Sequence, residues 1–322
     1  NVWGFGGQLD PVDGFRRHGV DCIAICLMHS YANPEHEQRT VELLEELMPE
    51  AFVSRSSQVL PEYREYERSS TTVVDAYVRP RVSAYLQRLE EALRGQGFAG
   101  NFLITRSGGG AMTFGEAAER PFETIMSGPV AGAVGCGELC RKLDIEQAIT
   151  ADVGGTSFDT CLIVDGQPQV KYEGNVLGMP IQSPWVDVRS IGAGGGSIAH
   201  LDAGLLRVGP RSAGADPGPV CYGRGGTEPA VTDAAAALGM LAFGELAGAV
   251  ALDIDASRVA LEKLGAELSL DVEEVSRGVI TIANAAMANA IRSITVEQGQ
   301  DPRVASLVAF GGAGPLFGTL LA

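Results

Sequence analysis

"ADVGGTSFDT", residues 151–160, places two glycines and a threonine just after one aspartate, Asp152, and a second aspartate, Asp159, seven residues later. The preceding Ala148-Ile149-Thr150-Ala151 reads as the end of a buried strand, and Phe158 to Val164 as a second strand. The stretch is therefore a tight strand-turn-strand. Glycines at such a turn bring backbone close to a ligand and let N–H groups converge on an anion such as phosphate. Thr156 and Ser157 add hydroxyl donors, and Asp152 and Asp159 are of the type that holds magnesium or orients a water beside that phosphate. A plain glycine hairpin with two solvated carboxylates has the same local spelling, so the rest of the chain must decide.

The chain has 322 residues, enough for two domains, with the 45% hydrophobic and 20% charged content of a folded soluble protein. A formal net charge of -16 argues against a nucleic-acid partner, so an anionic ligand has to be gripped locally by backbone amides or a metal. The six cysteines form no CxxC pair and mostly sit in apolar runs, which predicts buried thiols in a reducing cytoplasm. No run of about 18 apolar residues and no signal-peptide pattern is present, so no membrane association is expected. A start at Asn1 and a stop shortly after a glycine-rich turn suggest a fragment of a longer protein.

Glycine is the informative residue: 42 of 322 is roughly twice the usual share. Most lie in residues 107–137, 154–155, 192–226 and 311–318, between segments with strand or helix periodicity. The first half alternates a strand at 22–28, a helix at 34–47, a strand at 51–54, a helix at 62–94 with Pro80 as a kink or break, a strand at 102–105 and a helix after Pro129. The second half opens with strands at 147–152, 158–164 and 167–173, then gives helices near 232–241 and 272–297 and a strand at 306–310. In the 272–297 helix, Val279, Ile282, Ala286 and Ile294 are the expected core face. The expectation is an α/β fold of two lobes, residues 1–145 and 146–322.

Four loops suit a nucleotide. Beside 152–159 there is "IGAGGGSIA" at 191–199, before a helix or turn, with Gly194, Gly195, Gly196 and Ser197 as candidate ligand-binding residues. "VGPRSAGADPGPVCYGRGG" at 208–226 is longer than a passive connection. "FGGAGPL" at 310–316 puts Gly311, Gly312 and Gly314 between a strand and a helix, where a purine or ribose can lie against backbone.

With these stretches, "LMHSYANPEHE" (27–37), "PEYREYERSSTTVVDAYVRP" (61–80), "SGPVAGAVG" (127–135) and "VTDA" (231–234), the chain resembles the hydantoinase/oxoprolinase family, in order over nearly its whole length. The resemblance implies a fold of the actin, sugar-kinase and heat-shock-chaperone type with ATP and magnesium in a cleft between two lobes. It makes Asp152, Gly154, Gly155, Thr156 and Asp159 a phosphate loop, and Gly311, Gly312 and Gly314 the adenosine-side loop. It implies ATP-dependent opening of a cyclic amide by phosphorylation of the amide oxygen. A ketone carboxylase subunit and a non-catalytic nucleotide switch are the alternatives. A second hydantoinase-type (B) subunit and an oligomer are the implied partners. Three departures stand out: the family's N-terminal phosphate loop has no counterpart, Phe317 replaces the usual His after "GAGPL", and Phe158 replaces a usual serine or threonine. With one phosphate loop of two, the 322 residues alone are expected to be inactive.

Other residues stay open at this point. His29 and His36, flanked by Glu35 and Glu37, read as a metal pair or as packing and capping residues, and His200 as a phosphate neighbour or a surface residue. Asp233 caps a helix or faces the cleft, and Arg211 and Arg224 pair with an anion or are solvated. The alternating charges of 63–68 read as a solvated face or a partner interface.

Overall fold

A computed structural model of the chain describes residues 11–176, 178–241, 245–246 and 250–322. The chain divides into two compact units, the first comprising residues up to Ala131 plus Val170–Val186, the second Gly132–Gln169 and Asp187–Ala322. This differs from the expected boundary at 145/146 for two physical reasons. The helix Ser127–Lys142 is continuous, and its Cys136 and Cys140 pack with Ala148 and Ile163 of the second unit. The hairpin Val170–Val176/Met179–Val186 sends Ile181 and Trp185 into a cluster with Val59, Leu60, Val74 and Phe122 of the first.

In the first unit the strands Cys22–Ile25 and Phe52–Arg55 pair in parallel around the helix Glu35–Leu47, as the alternation predicts. The helix Glu65–Gly95 runs 31 residues with Pro80 inside it, so of the expected kink or break the helix has no break. Its Arg68 is an exception to the solvated reading of 63–68, because it is wholly buried. Arg68 donates to Ser30 Oγ and to the Leu27 carbonyl, 2.7 Å each. Buried Glu37 accepts from the Leu27 and Ser57 amides and the Ser56 hydroxyl. Burial pushes its carboxyl up, but these hydrogen bonds outweigh burial and hold it below the usual range. Residues 27–34 are thus a loop leading into the helix Glu35–Leu47, tied down by buried Arg68 and Glu37.

The second unit is built on a mixed sheet in the order Val188–Ile191, Phe158–Val164, Gln147–Val153, Ser306–Phe310. The first two junctions are antiparallel and the last is parallel, with Phe310 opposite Asp152. That parallel register brings the turns after both strands, 154–157 and 311–314, to the same edge of the sheet, where α/β folds collect ligands. The helix Val272–Glu297 begins at a capping box between Asp271 and Glu274. Its buried stripe runs through Val275, Val279, Ala283, Met287, Ile291 and Ile294. Of the expected face, Val279 and Ile294 are buried, while Ile282 and Ala286 are half-buried flanks. By length and mean hydropathy this helix passes for a membrane span, but its apolar stripe lies in the second unit's core.

Candidate functional site

The strands Gln147–Val153 and Phe158–Val164 form the expected hairpin, closed by the Gly154 amide on the Ser157 carbonyl at 3.0 Å. Asp152 and Asp159 face each other across it. The Ser157 hydroxyl donates to Asp159 Oδ2 at 2.9 Å, so it is engaged within the turn. The half-buried Asp152 carboxylate accepts no hydrogen bond among the described residues, and its pKa is raised, first by burial and then by the charge of Asp159. Two carboxylates so placed are short of positive charge. The amides of Gly155, Thr156 and Ser157 likewise have no hydrogen-bond partner among the described residues.

The glycines separate into two kinds. In the 191–199 loop a turn leads into the strand Ser197–Asp202, so the anion site expected at a helix N-terminus is absent. The Gly194 amide donates to Ser197 Oγ, and those of Gly195 and Gly196 to the carbonyls of Gly154 and Gly155. A Cβ at Gly194 would lie 2.7 Å from the Gly154 carbonyl oxygen, and one at Gly196 2.9 Å from that of Gly155. Gly311, at φ +84, would place a Cβ 2.3 Å from Asp152 Oδ1. These glycines let backbone meet backbone. Gly155 and Gly312 are different: a Cβ on either meets nothing within 4 Å, and both line a cavity of about 400 Å³. Gly154, Gly195, Gly196 and Gly214 add to its glycine wall, with Thr232, Pro219, Tyr222, Leu241 and Leu316 around the rest. Its volume lies within the roughly 300–1,000 Å³ of small-molecule sites.

The neighbouring loop is held by a residue whose role the sequence left open. Asp233 is fully buried and accepts from the amides of Val220, Cys221 and Ala230 and from the Ser257 hydroxyl. It is a clamp for the 208–226 loop as well as a capping residue. Asp233→Ala strips four donors of their acceptor and is expected to cost about 3 kcal/mol of unfolding free energy, read by urea denaturation.

Other candidates take the bland role. His29, at φ +59, and His36 are exposed, Glu37 is engaged in the buried network, and no cluster of three metal-ligating residues occurs among the described residues. His200 is half-buried with Nδ1 3.4 Å from the Ile198 carbonyl. Arg211 pairs with Glu228 in the open, and Arg224 is exposed. Phe317 and Phe158 are wholly buried in the core, so neither side chain faces the cavity. All six cysteines are free thiols, and burial pushes those of Cys161 and Cys221 up to about 12.

Comparison with known proteins defines the class. The family described as Hydantoinase/oxoprolinase matches residues 68–322, and its N-terminal region matches residues 11–48. The chain belongs to the hydantoinase/oxoprolinase family. It is 41% identical over 305 residues to the caprolactamase subunit alpha of Pseudomonas jessenii, covering 94% of this chain and 44% of that protein. It is 36% identical over 330 residues to 5-oxoprolinase 1 of Arabidopsis thaliana, covering 96% of this chain and 26% of that one. The nucleotide-free structure of acetone carboxylase, from work on ATP-dependent acetone carboxylation, superposes with a TM-score of 0.84 at 30% identity, covering 95% of this chain and 44% of that one. The chain spans less than half the length of each of these proteins.

Proposed function

We propose that this chain is the ATP-binding part of an enzyme that opens a cyclic amide of the hydantoin or 5-oxoproline type, with the second unit as one lobe of an actin- or sugar-kinase-like fold. The observation that carries the reading is the meeting of the 154–157 and 311–314 turns at one sheet edge, with unpartnered amides beside an undercompensated carboxylate pair and an open cavity. Relatives named 5-oxoprolinase and caprolactamase act on cyclic amides, and that supports the substrate class.

In this reading the amides of Gly155, Thr156 and Ser157 bind the phosphate chain, with Gly154 holding the turn and Gly312 leaving room for the ligand on the adenosine side. Gly194, Gly195, Gly196 and Ser197 brace the phosphate turn, Gly195 and Gly196 also lining the cavity, and Gly311 and Gly314 shape the second turn. Asp152 and Asp159 are the residues that would hold magnesium, since the pair lacks compensating donors on Asp152. That ion would supply charge neutralisation for the phosphates. The ring amide oxygen takes the γ-phosphoryl group of ATP, and water then attacks the activated carbonyl carbon. ADP leaves in the first step; the ring C–N bond then breaks with its electron pair going to the protonated nitrogen, and a second water hydrolyses the acyl phosphate so formed to the open-chain carboxylate and phosphate. We further propose a second hydantoinase-type subunit, an oligomeric assembly and a cytoplasmic setting, consistent with relatives that are named as subunits and with six free thiols.

One observation favours a ketone carboxylase subunit, namely the 0.84 TM-score to acetone carboxylase. ATP hydrolysis by the full-length protein with its partner decides between the readings. Stimulation by a hydantoin, 5-oxoproline or caprolactam is expected. Stimulation only by a ketone with bicarbonate selects the carboxylase, and a rate indifferent to both classes overturns the enzymatic reading in favour of a nucleotide switch.

A further inference from the structure

The cavity walls differ in chemistry. Gly154 and Gly155 give a polar backbone rim, whereas Pro219, Tyr222, Leu241 and Leu316 give an apolar wall that includes an aromatic ring. A nucleotide has the same division, charged phosphates at one end and a flat base at the other. Among the described residues Tyr222 is the one aromatic residue lining the cavity, and its backbone is fixed on both sides. It ends a short 3-10 turn, Val220–Tyr222, whose Val220 and Cys221 amides are fixed by Asp233 and whose Tyr222 amide donates to the Pro219 carbonyl at 3.0 Å. The ring lies against Gly218, where φ is +80 and a Cβ would stand 2.6 Å from Tyr222 Cδ2, so a side chain at 218 would push the ring away. Half-buried, the tyrosine makes no side-chain hydrogen bond among the described residues, so packing against Gly218 and the fixed backbone set the ring's position.

We infer that the Tyr222 ring is the stacking platform for the base of the bound nucleotide, and thus the residue that makes the site prefer a nucleoside triphosphate to a bare polyphosphate. This rests on the nucleotide-binding reading above. A base stacked on an aromatic ring is held by its π-face without a hydrogen-bond code, so the contribution survives loss of the hydroxyl but not of the ring.

Calorimetry on the full-length protein tests this with ATP and inorganic tripolyphosphate as separate probes. Tyr222→Ala is expected to weaken ATP binding roughly 5- to 100-fold and leave tripolyphosphate binding unchanged, while Tyr222→Phe keeps ATP affinity within about twofold. Equal loss of both probes in Tyr222→Ala, or loss of ATP binding in Tyr222→Phe to the level of the alanine variant, would show a structural role and overturn the inference. Unchanged ATP affinity in Tyr222→Ala, with Gly155→Val abolishing it, would overturn the inference and leave the nucleotide-binding reading standing. Failure of the unsubstituted protein to bind ATP would remove both.

Discussion

Gly155→Val is expected to weaken ATP binding by at least about a hundredfold, some 2.7 kcal/mol, while the unfolding free energy stays within about 0.5 kcal/mol of the parent. Gly155 is exposed at the tip of the hairpin turn, its φ is not in the left-handed region, and an added Cβ meets nothing within 4 Å. Nothing in the fold resists the side chain, which instead occupies space where the unpartnered amides of Gly155 and Thr156 would meet a ligand. Gly194→Ala is the control with the opposite signature. Its methyl group would press to 2.7 Å of the Gly154 carbonyl oxygen and 2.8 Å of the Gly155 carbonyl carbon, forcing backbone to move. Overpacking of that kind costs roughly 2–3 kcal/mol of stability, seen as a lowered denaturation midpoint even without nucleotide. Calorimetric titration with ATP and urea unfolding on the two variants separate the effects. Full ATP affinity in Gly155→Val would remove the turn from the proposed phosphate site.

That contrast marks where sequence reading stops. Periodicity delimits the helix 272–297, whose buried stripe is long enough to show its period, whereas the strands 158–164 and 306–310 are legible as short apolar-rich runs beside glycine turns. The Asp-x-Gly-Gly-Thr order likewise predicts the hairpin. Four glycine clusters all spell "close approach", but spelling does not say what approaches. Gly194, Gly196 and Gly311 serve contacts with the 152–155 backbone or the Asp152 carboxylate, partners tens to more than a hundred residues away in sequence. Arg68 and Glu37 were illegible for a related reason. Arg68 sits in a stretch that reads as a solvated face or a partner interface and Glu37 beside a histidine that reads as a metal or capping residue, and burial becomes visible only once Ser30, Ser56 and Leu27 are folded around them. The 170–186 hairpin joins the earlier unit through Ile181 and Trp185, and no local pattern in a strand discloses which core its apolar side enters. Asp233 was half legible, since helix capping follows from its position but the clamp on Val220 and Cys221 depends on the fold.

Asp152→Asn is expected to lower substrate-stimulated ATP turnover about a hundred- to a thousandfold, the loss typical when one preorganised charge is removed from a reacting centre. It is also expected to leave the protein as stable as the parent or more so at pH 7.5. The folded-state pKa of Asp152 is raised, chiefly by burial and secondly by Asp159 across the hairpin. A carboxyl with a raised folded pKa contributes stability below its unfolded pKa and loses that contribution as pH rises through the folded value. Above that window the native state carries the cost of a partly buried charge beside another carboxylate, and pH 7.5 lies well above the ordinary carboxylate range. Asparagine is nearly isosteric and removes that cost. The stability gap between variant and parent should shrink as the pH falls through the raised folded-state pKa, because the protonated aspartate resembles the amide. Urea unfolding at pH 7.5, 5.5 and 4 measures the gap, and ATP turnover measured across a range of magnesium concentrations reads the functional half. A lower midpoint for Asp152→Asn at pH 7.5 would mean that the carboxylate makes a stabilising contact in the apo protein and is not held in reserve for a cation. Unchanged turnover at every magnesium concentration would take Asp152 out of the proposed site. Loss of turnover without loss of stability is the pairing that a structural carboxylate cannot produce, because a residue retained for the fold destabilises it on removal, whereas one retained for a ligand relieves the empty site.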